Sequence, residues 1–273
     1  MRKRCWIAGV VIFICVIISF GMFVRSRREC AEYGVYLSET YEELPSDVSC
    51  ETLVIDAQYF SAEEIAKLKQ SNGTVISYLN VGSIEDFRSY YSKYQTLVLG
   101  PYENWEEEYW MDVSDEGWQE FIVDELAGAL IDKGVDGFFI DNTDVYYHYK
   151  SQEIYDGLTK ILKALKAKDM LVYINGGDEY VSKYLDENGN LDDILDGVNQ
   201  ESVFTSINWD TDTFSKNDED TKQYYLEYLS AVAEDQKEVF LLEYTEDSKL
   251  AKEARAEAKK LGYKIYVSNR LEL

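Results

Sequence analysis

Histidine, proline and positive charge are what this chain of 273 residues has least of: one histidine, two prolines, and 27 Lys and Arg against 52 Asp and Glu. A single histidine, His148, excludes multi-histidine metal centres and any histidine relay that does not pass through it. We read it as a loop residue. Two prolines and no Gly/Ser-rich stretch leave no internal linker, and no repeat of fixed period appears. Neither a glycine-rich phosphate loop nor a dinucleotide-binding fingerprint is present, so no cofactor is expected. The run Asp141-Asn142-Thr143-Asp144 lacks the glycine and distal glutamate of a calcium-binding hand, and no metal is expected there. A net charge of −25 makes nucleic acid and anionic lipid headgroups poor partners and favours a cationic polymer.

Cysteine is also scarce. Cys5 and Cys15 fall in a run of twenty uncharged residues, 5–24, flanked by Arg2, Lys3 and Arg4 before and by Arg25, Arg27 and Arg28 after. Twenty apolar residues suffice to span a bilayer, and no Ala-x-Ala cleavage site follows. Residues 1–28 therefore read as an uncleaved single-pass membrane anchor with basic flanks. The short basic N-terminus favours a folded domain, 29–273, outside the cytoplasm. Cys30 and Cys50 each precede a predicted strand, and neighbouring parallel strands begin on the same rim. A Cys30–Cys50 disulfide is thus within reach, closing a loop of about twenty residues worth on the order of 3 kcal/mol.

What the chain does contain is a recurrent pattern. In 136–147 (DGFFIDNTDVYY) an apolar run stops abruptly at Asp141, Asn142 and Asp144. Apolar runs ending on an acid or amide recur at Asp56, Asn80, Asp112, Asn175, Asn199-Gln200-Glu201, Glu243 and Asn269. Their spacing suits one strand, one helix and two loops. Polar residues at successive strand ends are what a barrel with one active face leaves in its sequence. The expected fold is therefore a TIM-like (β/α)8 barrel. Nine strand candidates appear, at 33–37, 53–55, 75–79, 109–111, 137–140, 171–174, 197–198, 240–242 and 265–268, one more than such a barrel needs. Ser61 with Glu64 predicts a capping box. Ile154, Leu158, Ile161, Leu162 and Leu165 predict a helix with one apolar stripe, and Gly262 a helix end. Two polar loops, 81–88 and 202–221, are expected to wall the active rim.

With these exclusions the remaining equipment is carboxylate. A pair of carboxyls across a cleft, one protonated and one ionised, is what hydrolysis of a glycosidic bond needs. At this point the chain resembles glycoside hydrolase family 114, the endo-α-1,4-polygalactosaminidase-like barrels, over almost all of 33–273. The resemblance is carried by YLNVGSIEDFR from Tyr78 to Arg88, WEEEYWMD with Trp105, Glu108, Trp110 and Asp112, DGFFIDNTDVY from Asp136, Ile174-Asn175-Gly176, and Gln200-Glu201-Ser202. It implies a surface or extracellular hydrolase of galactosamine-containing polymers, with Asp141 and Glu201 as catalytic carboxylates. Glu201 is expected as nucleophile or charge stabiliser and Asp141 as the proton-exchanging partner, with the reverse assignment open. Asp56, Tyr78, Glu85, Asp112, Asn142, Asp144, Asn175, Glu243 and Tyr244 are the expected substrate contacts. Where similar sequences often carry Asp-Tyr, this chain has Glu243-Tyr244, whose longer acid is expected to reshape a subsite. The competing reading is a non-catalytic carbohydrate-binding or cell-envelope interaction module on the same barrel.

Overall fold

A computed structural model describes residues 31–103 and 105–273. The proposed anchor and Cys30 lie outside the described residues, so the disulfide is not tested; Cys50 itself is buried. Among the described residues no helix is long and apolar enough to cross a membrane.

Thirteen strands follow in chain order: β1 (Ala31–Tyr36), β2 (Cys50–Ile55), β3 (Thr74–Asn80), β4 (Ser83–Glu85), β5 (Val98–Pro101), β6 (Glu108–Met111), β7 (Gly137–Asp141), β8 (Leu171–Asn175), β9 (Gly197–Glu201), β10 (Thr205–Asn208), β11 (Thr213–Lys216), β12 (Glu238–Tyr244) and β13 (Lys264–Ser268). Eight of them form one sheet in the order β1-β2-β3-β7-β8-β9-β12-β13. Within this sheet every described pairing is parallel. The sheet curls into a nearly closed TIM-like barrel, with the Tyr36 and Tyr266 rings of its first and last strands 5.6 Å apart.

The surplus ninth candidate is identified by its pairing. The segment expected as a strand at 109–111 is β6, which pairs antiparallel with β4 and β5 in a three-stranded sheet inserted after β3. The polar loop after β9 likewise folds into the antiparallel hairpin β10–β11.

Parallel strands buried on both faces carry two cores. Outside the barrel, the helix Gln152–Lys166 buries Ile154, Leu158, Ile161, Leu162 and Leu165 on one stripe. The helix Ala62–Leu68 has the Ser61/Glu64 capping box, and Gly262 ends the helix Ser248–Leu261 in the left-handed conformation. Inside the barrel a second cluster stacks Tyr33 and Val35 of β1, Val54 of β2, Ile76 and Tyr78 of β3, Phe139 of β7, Tyr173 of β8, and Phe240, Leu242 and Tyr244 of β12. These inward residues alternate along each strand, as the two-residue pleat requires. Continuing the same parity to the downstream ends of β7, β8 and β9 brings Asp141, Asn175 and Glu201 to the mouth.

Leu158→Ala, at the centre of the helical stripe, is expected to cost about 2–5 kcal/mol through lost burial and an unfilled cavity. Denaturant unfolding monitored by circular dichroism measures it.

Candidate active site

The three central strand ends are built alike. Each closes on a polar residue and leaves the strand through a left-handed turn. Asn142 (φ 64°) follows Asp141, Gly176 and Gly177 (φ 64° and 69°) follow Asn175, and Ser202 (φ 55°) follows Glu201. This conformation is uncommon for residues other than glycine and clusters where function constrains the backbone. It ends the sheet at the acid itself. At Gly177 a side chain is doubly excluded, because a Cβ would stand 2.0 Å from Thr143 Oγ1.

Asp141 and Glu201 face each other across Asn175. The amide Nδ2 of Asn175 donates to Asp141 Oδ1 at 2.9 Å and to Glu201 Oε1 at 2.8 Å. Contacts of that length to one nitrogen keep the two nearest carboxylate oxygens no farther apart than the sum of the two. The outer oxygens are held by tyrosines: Tyr78 OH donates to Asp141 Oδ2 (3.0 Å) and Tyr244 OH to Glu201 Oε2 (2.6 Å). All three residues of the bridge are half-buried.

The orientation of Asn175 is itself enforced from inside the barrel. Its Oδ1 accepts from Asn199 Nδ2 at 2.7 Å, and Asn199 Oδ1 accepts from Tyr33 OH at 3.1 Å. With its oxygen taken by a donor, Asn175 has only its NH2 to present to the acids. Burial, then the neighbouring Glu201 charge, pushes the Asp141 carboxyl up to about 6, against the donors Asn175 and Tyr78 that favour its ionised form.

Of the residues expected in the site, Tyr78, Asp141, Asn175, Glu201 and Tyr244 are brought together. Asp144 stands beside them. It accepts from Gly177 N at 3.1 Å and is raised to about 7 by burial and by the charges of Asp178 and Asp141. Asn142 turns away to donate to Ser83 Oγ (2.7 Å) and Glu108 Oε1 (2.8 Å). Asp56 and Glu85 are committed to the buried Arg88, at 2.8 and 2.9 Å, so they anchor the inserted sheet to the rim. Asp112 follows β6 rather than a barrel strand and accepts from Ser114 N and Oγ, outside the cluster.

Glu243 corrects the expectation most clearly. It is fully buried and accepts from the backbone N–H groups of Val203, Phe204 and Thr205 at 3.0, 3.0 and 2.8 Å. Its parity on β12 is opposite to that of Tyr244. It therefore points into the outer layer and fastens the chain that follows Glu201, with no face left for substrate.

Four contributors were not among the expected site residues. Glu108, noted only as part of a motif, accepts from Asn80 Nδ2 (3.0 Å), Asn142 Nδ2 and Ser83 Oγ and is pushed to about 7, chiefly by burial. Tyr102 stacks on Trp110 with ring centroids 4.5 Å apart. Asn199 and Tyr33 form the relay. Two-residue parity back from Glu201 is the signal that points to Asn199. His148 packs its ring on Trp110, with Nδ1 3.2 Å from Glu103.

A barrel with two carboxyls brought together at the downstream mouth of its strands suits hydrolysis of a glycosidic bond. The model of glycoside-hydrolase family GH114 matches residues 26–272, and the chain belongs to that family; it is a glycoside hydrolase. Solved structures agree on the fold. The glycoside hydrolase domain of PelA from Pseudomonas aeruginosa is 18% identical with a TM-score of 0.72, covering 90% of this chain and 96% of that one. Ega3 of Aspergillus fumigatus in complex with galactosamine is 18% identical with a TM-score of 0.68, covering 88% and 91%. The α-galactosidase TtGalA of Thermus thermophilus, in complex with p-nitrophenyl α-D-galactopyranoside, is 13% identical with a TM-score of 0.58, covering 88% and 58%. No curated protein sequence matches the chain.

Removing the bridging amide by Asn175→Ala is expected to lower turnover about 100-fold. It also removes a donor that favours ionised Asp141, so the alkaline limb of the pH–rate profile should move to higher pH. Initial rates across pH 4–9 test both.

A second expectation concerns stability. Glu108, Asp144 and Glu243 are raised to about 7 and Asp141 to about 6. The folded chain therefore holds protons that the unfolded chain releases near pH 4. The stability these four groups contribute is full below about pH 4, where the unfolded chain is protonated too, and is lost as pH rises through 6–7. The melting midpoint should fall by on the order of 5 °C between pH 5 and pH 8; a rise would contradict these assignments.

Proposed function

We propose that this protein hydrolyses α-linked galactosamine-containing polysaccharide, cutting within the chain and retaining the anomeric configuration. The observation that carries the reading is the single Asn175 nitrogen in contact with both acids. That spacing suits direct attack by one carboxylate.

In the first step protonated Asp141 gives its proton to the glycosidic oxygen as the Glu201 carboxylate attacks C1. The bond from C1 to the leaving oxygen breaks and a glycosyl ester to Glu201 forms. In the second step the Asp141 carboxylate takes a proton from water, whose oxygen displaces Glu201 from C1 and restores both acids. The elevated proton affinity of Asp141 supports its role as acid and base. The two donors on Glu201, from Asn175 and Tyr244, support it as an ionised nucleophile and a competent leaving carboxylate.

The amine of the substrate is inferred from two facts. Ega3, similar in fold, was solved with galactosamine, and a chain of net charge −25 attracts a polymer of ammonium groups. We also propose that the catalytic domain lies outside the cytoplasm, held at the membrane through residues 5–24, on the length of that apolar run and the short basic N-terminus ahead of a long folded domain.

Reducing-end release from de-N-acetylated and N-acetylated galactosamine polymers tests the assignment. Wild type should cleave, while Asp141→Asn and Glu201→Gln should each fall by roughly three orders of magnitude or more. Turnover surviving both substitutions would falsify the carboxylate pair. Binding without turnover by wild type would favour the carbohydrate-binding module.

A further inference from the structure

The two insertions on the active rim meet at a place the chemistry above does not use. Trp105, from the insertion after β3, and Trp209, from the tip of the β10–β11 hairpin, are each 43% exposed. Their rings stand 6.2 Å apart at 76°. They line a cavity of about 330 Å³ together with Tyr102, Asp210 and Asp212. Leaving two indoles open to water forgoes burial worth roughly 25 cal/mol per Å² of apolar surface, and two separate loops do so at one spot. A perpendicular pair of indoles makes a corner, with one ring face free to lie against a flat apolar surface and the other ring closing its edge.

The cavity adjoins the catalytic centre. Tyr102 is a shared wall: burial and the nearby charges of Asp141, Glu108, Asp144 and Glu201 push its hydroxyl up, and its ring, which lines the cavity, is fixed on Trp110. Glu103 lines the cavity too, but it is engaged: it accepts from Trp110 Nε1 at 3.1 Å and stands against His148, which stiffens the wall. The other acids of the cavity are not held in this way. Among the described residues Glu106, Asp210 and Asp212 have no ion-pair partner. An apolar corner edged by uncompensated carboxylates selects a ligand with one apolar face and a positive charge.

We propose that Trp105 and Trp209 form a distal subsite for a protonated hexosamine unit of the polymer, with a sugar C–H face on an indole and the ammonium toward Glu106, Asp210 and Asp212. The inference rests on the glycosidase reading of Asp141 and Glu201 and extends it to a neighbouring unit of the chain. The subsite makes cleavage depend on substrate length. A unit held there ties the strand down beside the acids, so short substrates that cannot reach it lose the benefit.

The test is equilibrium binding of defined galactosamine oligomers to the Glu201→Gln protein, with Trp105→Ala, Trp209→Ala and Trp105→Phe added singly. The de-N-acetylated hexamer should bind roughly tenfold more weakly to either alanine variant, with the dimer unchanged and Trp105→Phe near the parent. Glu106→Gln with Asp210→Asn should weaken hexamer binding and flatten its salt dependence, and should leave the N-acetylated hexamer unaffected. Because both indoles are exposed, circular dichroism of the alanine variants should match the parent. Unchanged hexamer affinity in both alanine variants, with the polymer still cleaved by wild type, overturns the subsite alone. Equal losses for dimer and hexamer also overturn it. A parent that binds no hexamer, alongside a wild type that cleaves no polymer, overturns the functional reading and the subsite together.

Discussion

One amide group holds the active site together. Two carboxylates that share one hydrogen-bond donor would repel by a few kcal/mol if both were ionised at an effective dielectric of about 20. The NH2 of Asn175 stands between them and donates to both. It lowers the cost of charge on each acid and holds the two in a fixed relation. Its direction is fixed by Asn199 and Tyr33, residues of the barrel interior. The site thereby inherits the rigidity of the core beneath it, and the half-buried pair can carry one proton at Asp141 without collapsing together.

Around that bridge the chain spends several buried charges on architecture. Arg88 neutralises Asp56 and Glu85 and ties the inserted sheet to the barrel. Glu108 gathers Asn80, Ser83 and Asn142 under the residues that follow Asp141. Glu243 gathers three consecutive backbone N–H groups under the residues that follow Glu201. The last two devices match in role: a buried acid behind each catalytic strand end fixes the turn by which the chain departs. Gly82 serves the same packing, since a Cβ there would meet the Asn142 carbonyl at 1.7 Å.

The barrel and its central acids were legible because both follow from short-range pattern. Apolar runs mark strands, their spacing admits helices, and an acid at the end of a buried run is costly unless it faces a cleft. Asp141, Glu201 and Asn175 were placed on one rim that way, and the structure brings them together; their catalytic roles were what the family resemblance implied. What failed was parity and pairing. Glu243 and Tyr244 are adjacent in sequence, and which one faces the barrel depends on register, not composition. Asp112 ends an apolar run as Asp141 does, yet that run pairs antiparallel outside the barrel, a long-range fact that local pattern does not encode. Asp56 and Glu85 are acids at the rim, but the arginine that absorbs them reaches back from the far side of β4. Asn199 and Tyr33 were missed because their effect passes through Asn175.

The most direct measurement is the configuration of the first sugar released, followed by proton NMR before mutarotation. An amide-bridged pair this close predicts that the α-anomer appears first from an α-linked galactosamine oligomer. Initial appearance of the β-anomer would mean that a water sits between the acids, and it would contradict the geometry on which the account is built.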